Sequence, residues 1–203
     1  MDINDIGIRL KRVYRAVDKQ FQFDIDSSLN VKKSKTGRRG KIEFTFGKHD
    51  AVELDYIIIG VVSAIAGLKD HLKNKLESLG ENPKIVEGVI DNCFELQLIV
   101  DLWNQDKHGY PLKKRSRSNK DPQIKNLKQA LTIKNTSKGS GSLVFSPFSP
   151  ETATGVTTTS DNLVVKIIGD IVDKNGKALV SLDEMVSKSL SKFEVLTKKY
   201  KLI

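Results

Sequence analysis

The stretch Ile57-Ile58-Ile59-Gly60-Val61-Val62-Ser63-Ala64-Ile65-Ala66-Gly67 has no polar face. A segment apolar all round has to be covered by the rest of the chain, as a buried helix or an interior strand. Its β-branched residues favour a strand. The length of the surrounding segment, its small residues and its lysine-rich ending favour a helix over 50–79. Asp50 suits the N-cap, with Glu53 three positions on in the capping-box place. Gly60, Ala64 and Gly67 would let a neighbouring helix come close. The apolar run from Tyr56 to Leu68 is about 13 residues, short of the roughly 20 that span a bilayer, so no membrane partner is expected.

Two further segments have helical periodicity. In residues 3–23, Ile3, Ile6, Leu10, Val13, Val17 and Phe21 recur at steps of three and four, with Arg9, Lys11, Arg12 and Lys19 on the other side. Gly80-Glu81-Asn82-Pro83 is a break, and Pro83 suits the start of the next helix. Residues 84–107 then make a single helix striped by Ile85, Val89, Cys93, Leu96 and Val100. A fourth helix, 182–200, opens with a Ser181/Glu184 capping box.

Strand signals lie between. Lys41 to Phe46 alternates with period two, after a polar and basic stretch, Ser27 to Gly40, whose composition predicts a loop. Leu127 to Thr136 alternates weakly, and Leu143-Val144-Phe145 suits a short strand. Residues 147–161 form a Ser/Thr/Gly-rich loop. Residues 163–172 and 177–182 flank Asn175-Gly176, the pair of a tight hairpin. The predicted class is α+β, mainly α: a four-helix bundle with a β-hairpin-containing insertion before the last helix. Its 203 residues fit one domain, with 1–108 and 181–203 as the bundle. Residues 109–180 are then a basic loop and β-rich insertion that projects from one end.

The net charge is +9 and the pI about 9.5. That balance points to RNA or another polyanion as partner, or simply to a basic soluble surface. Lone Cys93 excludes an intrachain disulfide, and the N-terminus shows no signal-peptide pattern. Both fit the cytoplasm. His49, His71 and His108 lack zinc spacing, and no Walker A, G-x-G-x-x-G or G-x-S-x-G motif occurs, so no metal or cofactor is expected.

The candidate site lies where the third helix ends, at Asn104-Gln105-Asp106-Lys107-His108-Gly109. Asn104 and His108 are four apart and share a face, with Asp101 a turn earlier. Lys113, Lys114, Arg115, Arg117 and Lys120 follow in a basic loop. Near neutral pH a histidine can move protons, and a helix C-terminus also stabilises a charged one. Together with Lys107 these cations suit phosphate contact, helped by residues 32–41. As a purely structural matter, Asn104 and His108 could equally form a helix-end network.

A bundle whose third helix ends in an Asn-x-x-x-His pattern resembles the HEPN superfamily of small helical proteins. Many of its members are metal-independent ribonucleases of toxin or defence systems; others are inactive and bind nucleotides or partners. Asn104 and His108 match the motif. Trp103 stands where the family has Arg, and a guanidinium suits phosphorane stabilisation better than any indole. The resemblance implies His108 and Asn104 as catalytic residues, in a homodimer whose two motifs face each other. Three readings stay open: a HEPN-like module associated with nucleic acid or a protein partner, a metal-independent ribonuclease, and a structural interaction protein.

Overall fold

The computed structural model of the chain describes residues 6–23, 29–36, 39–46, 51–110, 112, 116–133, 143–145, 156–158 and 163–203. The fold is α+β and mainly helical. Its helices are α1 (Ile6–Phe21), α2 (Ala51–Ser78), α3 (Lys84–Asp91), α4 (Phe94–His108) and α5 (Leu182–Lys199). Residues 3–5 and Asp50 lie outside the described residues.

The long apolar segment is helical, as its length predicts. Leu54, Ile58, Val61, Val62, Ile65, Leu68, Leu72 and Leu76 form the buried face of α2. Gly60 and Gly67 do not carry a close helix crossing: Gly60 is exposed, and a Cβ at Gly67 would meet nothing within 4 Å. The branched residues, not the glycines, make the packing. None of the described helices is long and apolar enough to cross a membrane.

The expected single helix over 84–107 is two helices. Cys93 is extended, with φ −136° and ψ 106°, and serves as N-cap of α4. The chain turns there because local partners satisfy the freed backbone groups. The Cys93 N–H donates to the Ile90 carbonyl, and the Asn92 side chain donates to the Gly88 carbonyl at 2.7 Å. Gln97 Nε2 donates to the Asp91 carbonyl at 2.6 Å. The apolar stripe continues across the break, which is why periodicity alone does not reveal it.

In helix α4 every residue from Leu98 to Leu102 is buried. It packs between α2 and α5, while α1 packs on α2 and α3 on α4 and α5. Helix α5 seals this side with Met185, Val186, Leu190, Phe193 and Leu196, and Ser181 caps it by accepting the Glu184 N–H at 3.2 Å. Phe193 is almost fully buried, and truncating such a side chain to alanine costs about 3–5 kcal/mol.

The strands are β1 (Gln22–Phe23), β2 (Leu29–Thr36), β3 (Arg39–Phe46), β4 (Gln123–Ile133), β5 (Leu143–Phe145), β6 (Val156–Thr158), β7 (Leu163–Val172) and β8 (Ala178–Ser181). β7 is the hub of an antiparallel sheet. β4 pairs along one edge, while β8 and the two residues of β1 take opposite ends of the other. The β7–β8 hairpin is the predicted one, with Gly176 at φ 81° in its turn. The basic stretch expected to be a loop contains β2, paired with β3 from Leu29↔Phe46 to Thr36↔Arg39. Backbone ladders need no apolar side chains, so composition conceals such a strand. Likewise β6 lies inside the expected 147–161 loop, paired with β5.

The sheet does not project. Ile167 and Ile171 of β7 are fully buried in the helical core, β7 packs on α5, and β4 packs on α2. Residues with period-two alternation supply one apolar face, and the helices are where that face is covered. Between Lys125 and Lys128 the β4 register shifts, with Asn126 at φ 56°. The bulge lays Leu127 against Gly169, where an added Cβ would stand 2.9 Å from Leu127 Cδ2.

Candidate functional site at the end of the fourth helix

His108 is the last residue of α4, closed by Gly109 at φ 81°, whose N–H donates to the Gln105 carbonyl at 2.8 Å. The His108 ring is exposed and Asn104, one turn earlier, is half-buried. Neither side chain hydrogen-bonds to another described residue, so the helix-end network is not formed among these residues. The two do share a face, as their spacing requires.

Trp103 is half-buried and packs on the core. Lys107 lies over its ring, the ammonium 3.7 Å from the centroid, and Lys69 approaches to 5.6 Å. Such contacts stabilise by about 0.5–1 kcal/mol at exposed sites. Lys107 has no carboxylate partner among the described residues. Tyr110, just beyond the helix, is 48% exposed. The end of α4 therefore presents one exposed cation, an imidazole and two aromatic rings, with Lys69 mostly buried beside Trp103 and paired with Asp70 at 3.8 Å. Lys69 was not legible as a member, because only the packing of α2 on α4 brings it there.

Asp101 has a different task. It is fully buried, and its carboxylate organises the returning chain. Oδ1 accepts the Arg117 N–H at 2.6 Å. Oδ2 accepts the Ser116 hydroxyl at 2.8 Å and both the N–H and the hydroxyl of Ser118, at 2.9 and 2.6 Å. A buried carboxylate needs such donors, and hydrogen bonds to a charged group are the strong ones.

Arg117, placed by that anchor, reaches back to α3. Its Nε donates to Asp91 at 2.8 Å and its Nη2 pairs with Glu87, which also pairs with Lys73. Burial pushes the Glu87 carboxyl up, but hydrogen bonds from Lys73 and Arg117 outweigh it and hold the group below the usual range. A phosphate contact by Arg117 would have to displace two carboxylates. Lys120 is exposed; its backbone N–H donates to Ser118 Oγ. Lys113, Lys114 and Arg115 lie outside the described residues.

Comparison of the chain with protein-family models, with curated proteins and with solved structures gave no match.

Proposed function

We propose that this chain is a HEPN-like four-helix module, built from α1, α2, α4 and α5, that binds RNA at the end of α4. The observation that carries this reading is the Trp103–Lys107 stack beside exposed His108. The Lys107 cation and the exposed Tyr110 ring just beyond it together suit a single strand, whose phosphates need charge and whose bases need a flat partner. Lys107 and Lys120 supply charge; Lys113, Lys114 and Arg115 belong to the same proposed surface by sequence. A cytoplasmic location and a homodimer that pairs two α4 ends complete the proposal. Membership of a toxin or defence system rests on the family resemblance.

The test is binding of a single-stranded RNA as a function of salt. Affinity should fall steeply as salt rises, since each neutralised phosphate releases counterions. Lys107→Ala should weaken binding and reduce the slope by about one. Salt-independent binding, or none, would refute the RNA reading.

A second reading is metal-independent cleavage using His108 and Asn104. It is favoured by their shared face and by the exposure of His108. The assay is cleavage in EDTA: His108→Ala should abolish it with RNA affinity and melting temperature nearly unchanged.

A further inference from the structure

Where α1 crosses α2, two basic side chains touch. The Arg9 guanidinium donates from Nη1 to His71 Nε2 at 2.7 Å, so His71 accepts there and carries its proton on Nδ1. Arg9 Nε is buried with no hydrogen-bond partner. A buried donor without an acceptor is unfavourable, and a guanidinium beside an imidazole adds positive charge to one spot.

That spot borders one hollow, which meets a second at Lys75. His71, Asn74, Lys75 and Ser78 recur at helical spacing on α2 and line a pocket of about 260 Å³. Lys75 is also a wall of a groove of about 750 Å³, within the range of small-molecule sites. The groove is apolar along Ile6, Leu10, Leu79 and Leu202, with Lys11 and Lys201 at its margin. Its acid, Glu194, is already held by the Tyr14 hydroxyl. Lys11, Lys75 and Lys201 have no carboxylate partner among the described residues. Charge and shape thus divide the site into a cationic end and an apolar end that meet at Lys75.

We propose that this site binds a small amphiphilic phosphate ester, its phosphate beside His71 and Lys75 and its apolar body in the groove. Lys75 supplies a point charge, Asn74 supplies a neutral donor, and the Arg9 charge stands behind His71, while the Ser78 hydroxyl already donates to the Lys75 carbonyl at 2.7 Å. A groove of this size and lining suits an apolar tail better than a bare anion. This site is separate from the end of α4 and does not rest on the RNA-binding reading.

The experiment is an NMR and calorimetric titration of the full chain with octyl phosphate, inorganic phosphate and 1-octanol. Octyl phosphate should saturably shift the His71 ring and the Leu79 and Leu202 methyls. It should bind about tenfold or more tightly than either fragment, because each fragment keeps only one set of contacts. Lys75→Ala, which removes no ion pair, should weaken octyl phosphate by about tenfold without lowering the melting temperature. Arg9→Gln should weaken it as well; if that variant fails to fold, Lys75→Ala and the wild-type titrations still decide. No saturable shift at His71, equal affinity for octanol, or undiminished binding by Lys75→Ala would overturn the proposal. So would an RNA oligonucleotide that moves the His71 signal where octyl phosphate does not.

Discussion

Asp101 grips Ser118 twice, accepting its backbone N–H at 2.9 Å and its hydroxyl at 2.6 Å on the same oxygen. The contact joins the middle of the central helix to the chain that leads into β4. Asp101→Ala would leave the Arg117 and Ser118 N–H groups without acceptors, and should cost about 3–5 kcal/mol. Asp101→Asn keeps the shape but turns an amide N–H₂ toward donors, and should cost nearly as much. Chemical denaturation read by circular dichroism checks both. A loss under about 1 kcal/mol would mean that the loop finds other acceptors.

At Gly169 the sheet leaves no room for a methyl group. An added Cβ would stand 2.9 Å from Leu127 Cδ2 and 3.3 Å from the Lys125 carbonyl oxygen. Leu127 can shift, but the carbonyl belongs to the bulge. Gly169→Ala should therefore destabilise by about 1–3 kcal/mol, and Leu127→Ala in the same chain should recover part of it. Strict additivity of the two changes would count against the clash.

His71 makes stability depend on pH. Burial, then the Arg9 charge, lower its pKa, with Asp70 acting weakly the other way. The unfolded chain therefore takes up this proton at higher pH than the folded one. The folded state keeps its full advantage above the ordinary histidine value of about 6.5 and loses it as pH falls through that value. Melting temperatures from pH 8 to 5 should decline, and His71→Gln should flatten the part of the decline between pH 7 and 5.5. An unchanged profile in the variant would rule His71 out as the source; Glu95, held low against its burial by Lys188, gives up its contribution only at lower pH, below the usual carboxylate range.

Cys93 should be slow to react with thiol reagents. It is buried, and burial pushes its thiol up from the usual range, so little thiolate exists near neutrality. Labelling by a disulfide reagent at pH 7.5 should proceed at the rate of opening, and become immediate in denaturant. Fast labelling of the native chain would contradict the packing around the α3–α4 break.

Trp103→Arg restores the guanidinium that the HEPN-like pattern has at this position. If α4 ends in a nuclease site, the variant should raise the cleavage rate in EDTA. Trp103 also packs on the core, so the variant should lose about 1–3 kcal/mol of stability. Stability lost with no gain in rate would leave the indole as packing alone.

The helices were legible because burial enforces periodicity. Leu10 and Val13, or Leu190 and Phe193, announce their faces by spacing alone. The β7–β8 hairpin was legible through Asn175-Gly176. The break at Asn92–Cys93 was not, since its stripe runs on uninterrupted and its stabilising bonds are local polar ones. Nor was β2, whose ladder is made of backbone groups. At the candidate site, the shared face of Asn104 and His108 followed from the four-residue spacing. The roles of Asp101, Arg117 and Lys69 depend on segments 15 to 34 positions away, and nothing local encodes them.

The position of α5 sets an order of events for a chain made from its N-terminus. Helix α4 has its apolar residues ready after 108 residues, yet the helix that covers them begins at Leu182. The intervening stretch must close a long loop before that cover arrives, and the closure entropy delays it. During this interval Leu98, Ile99 and Leu102 form an adhesive surface without its lid. The vulnerable period of a nascent chain of this kind is set by the speed of translation rather than by final stability.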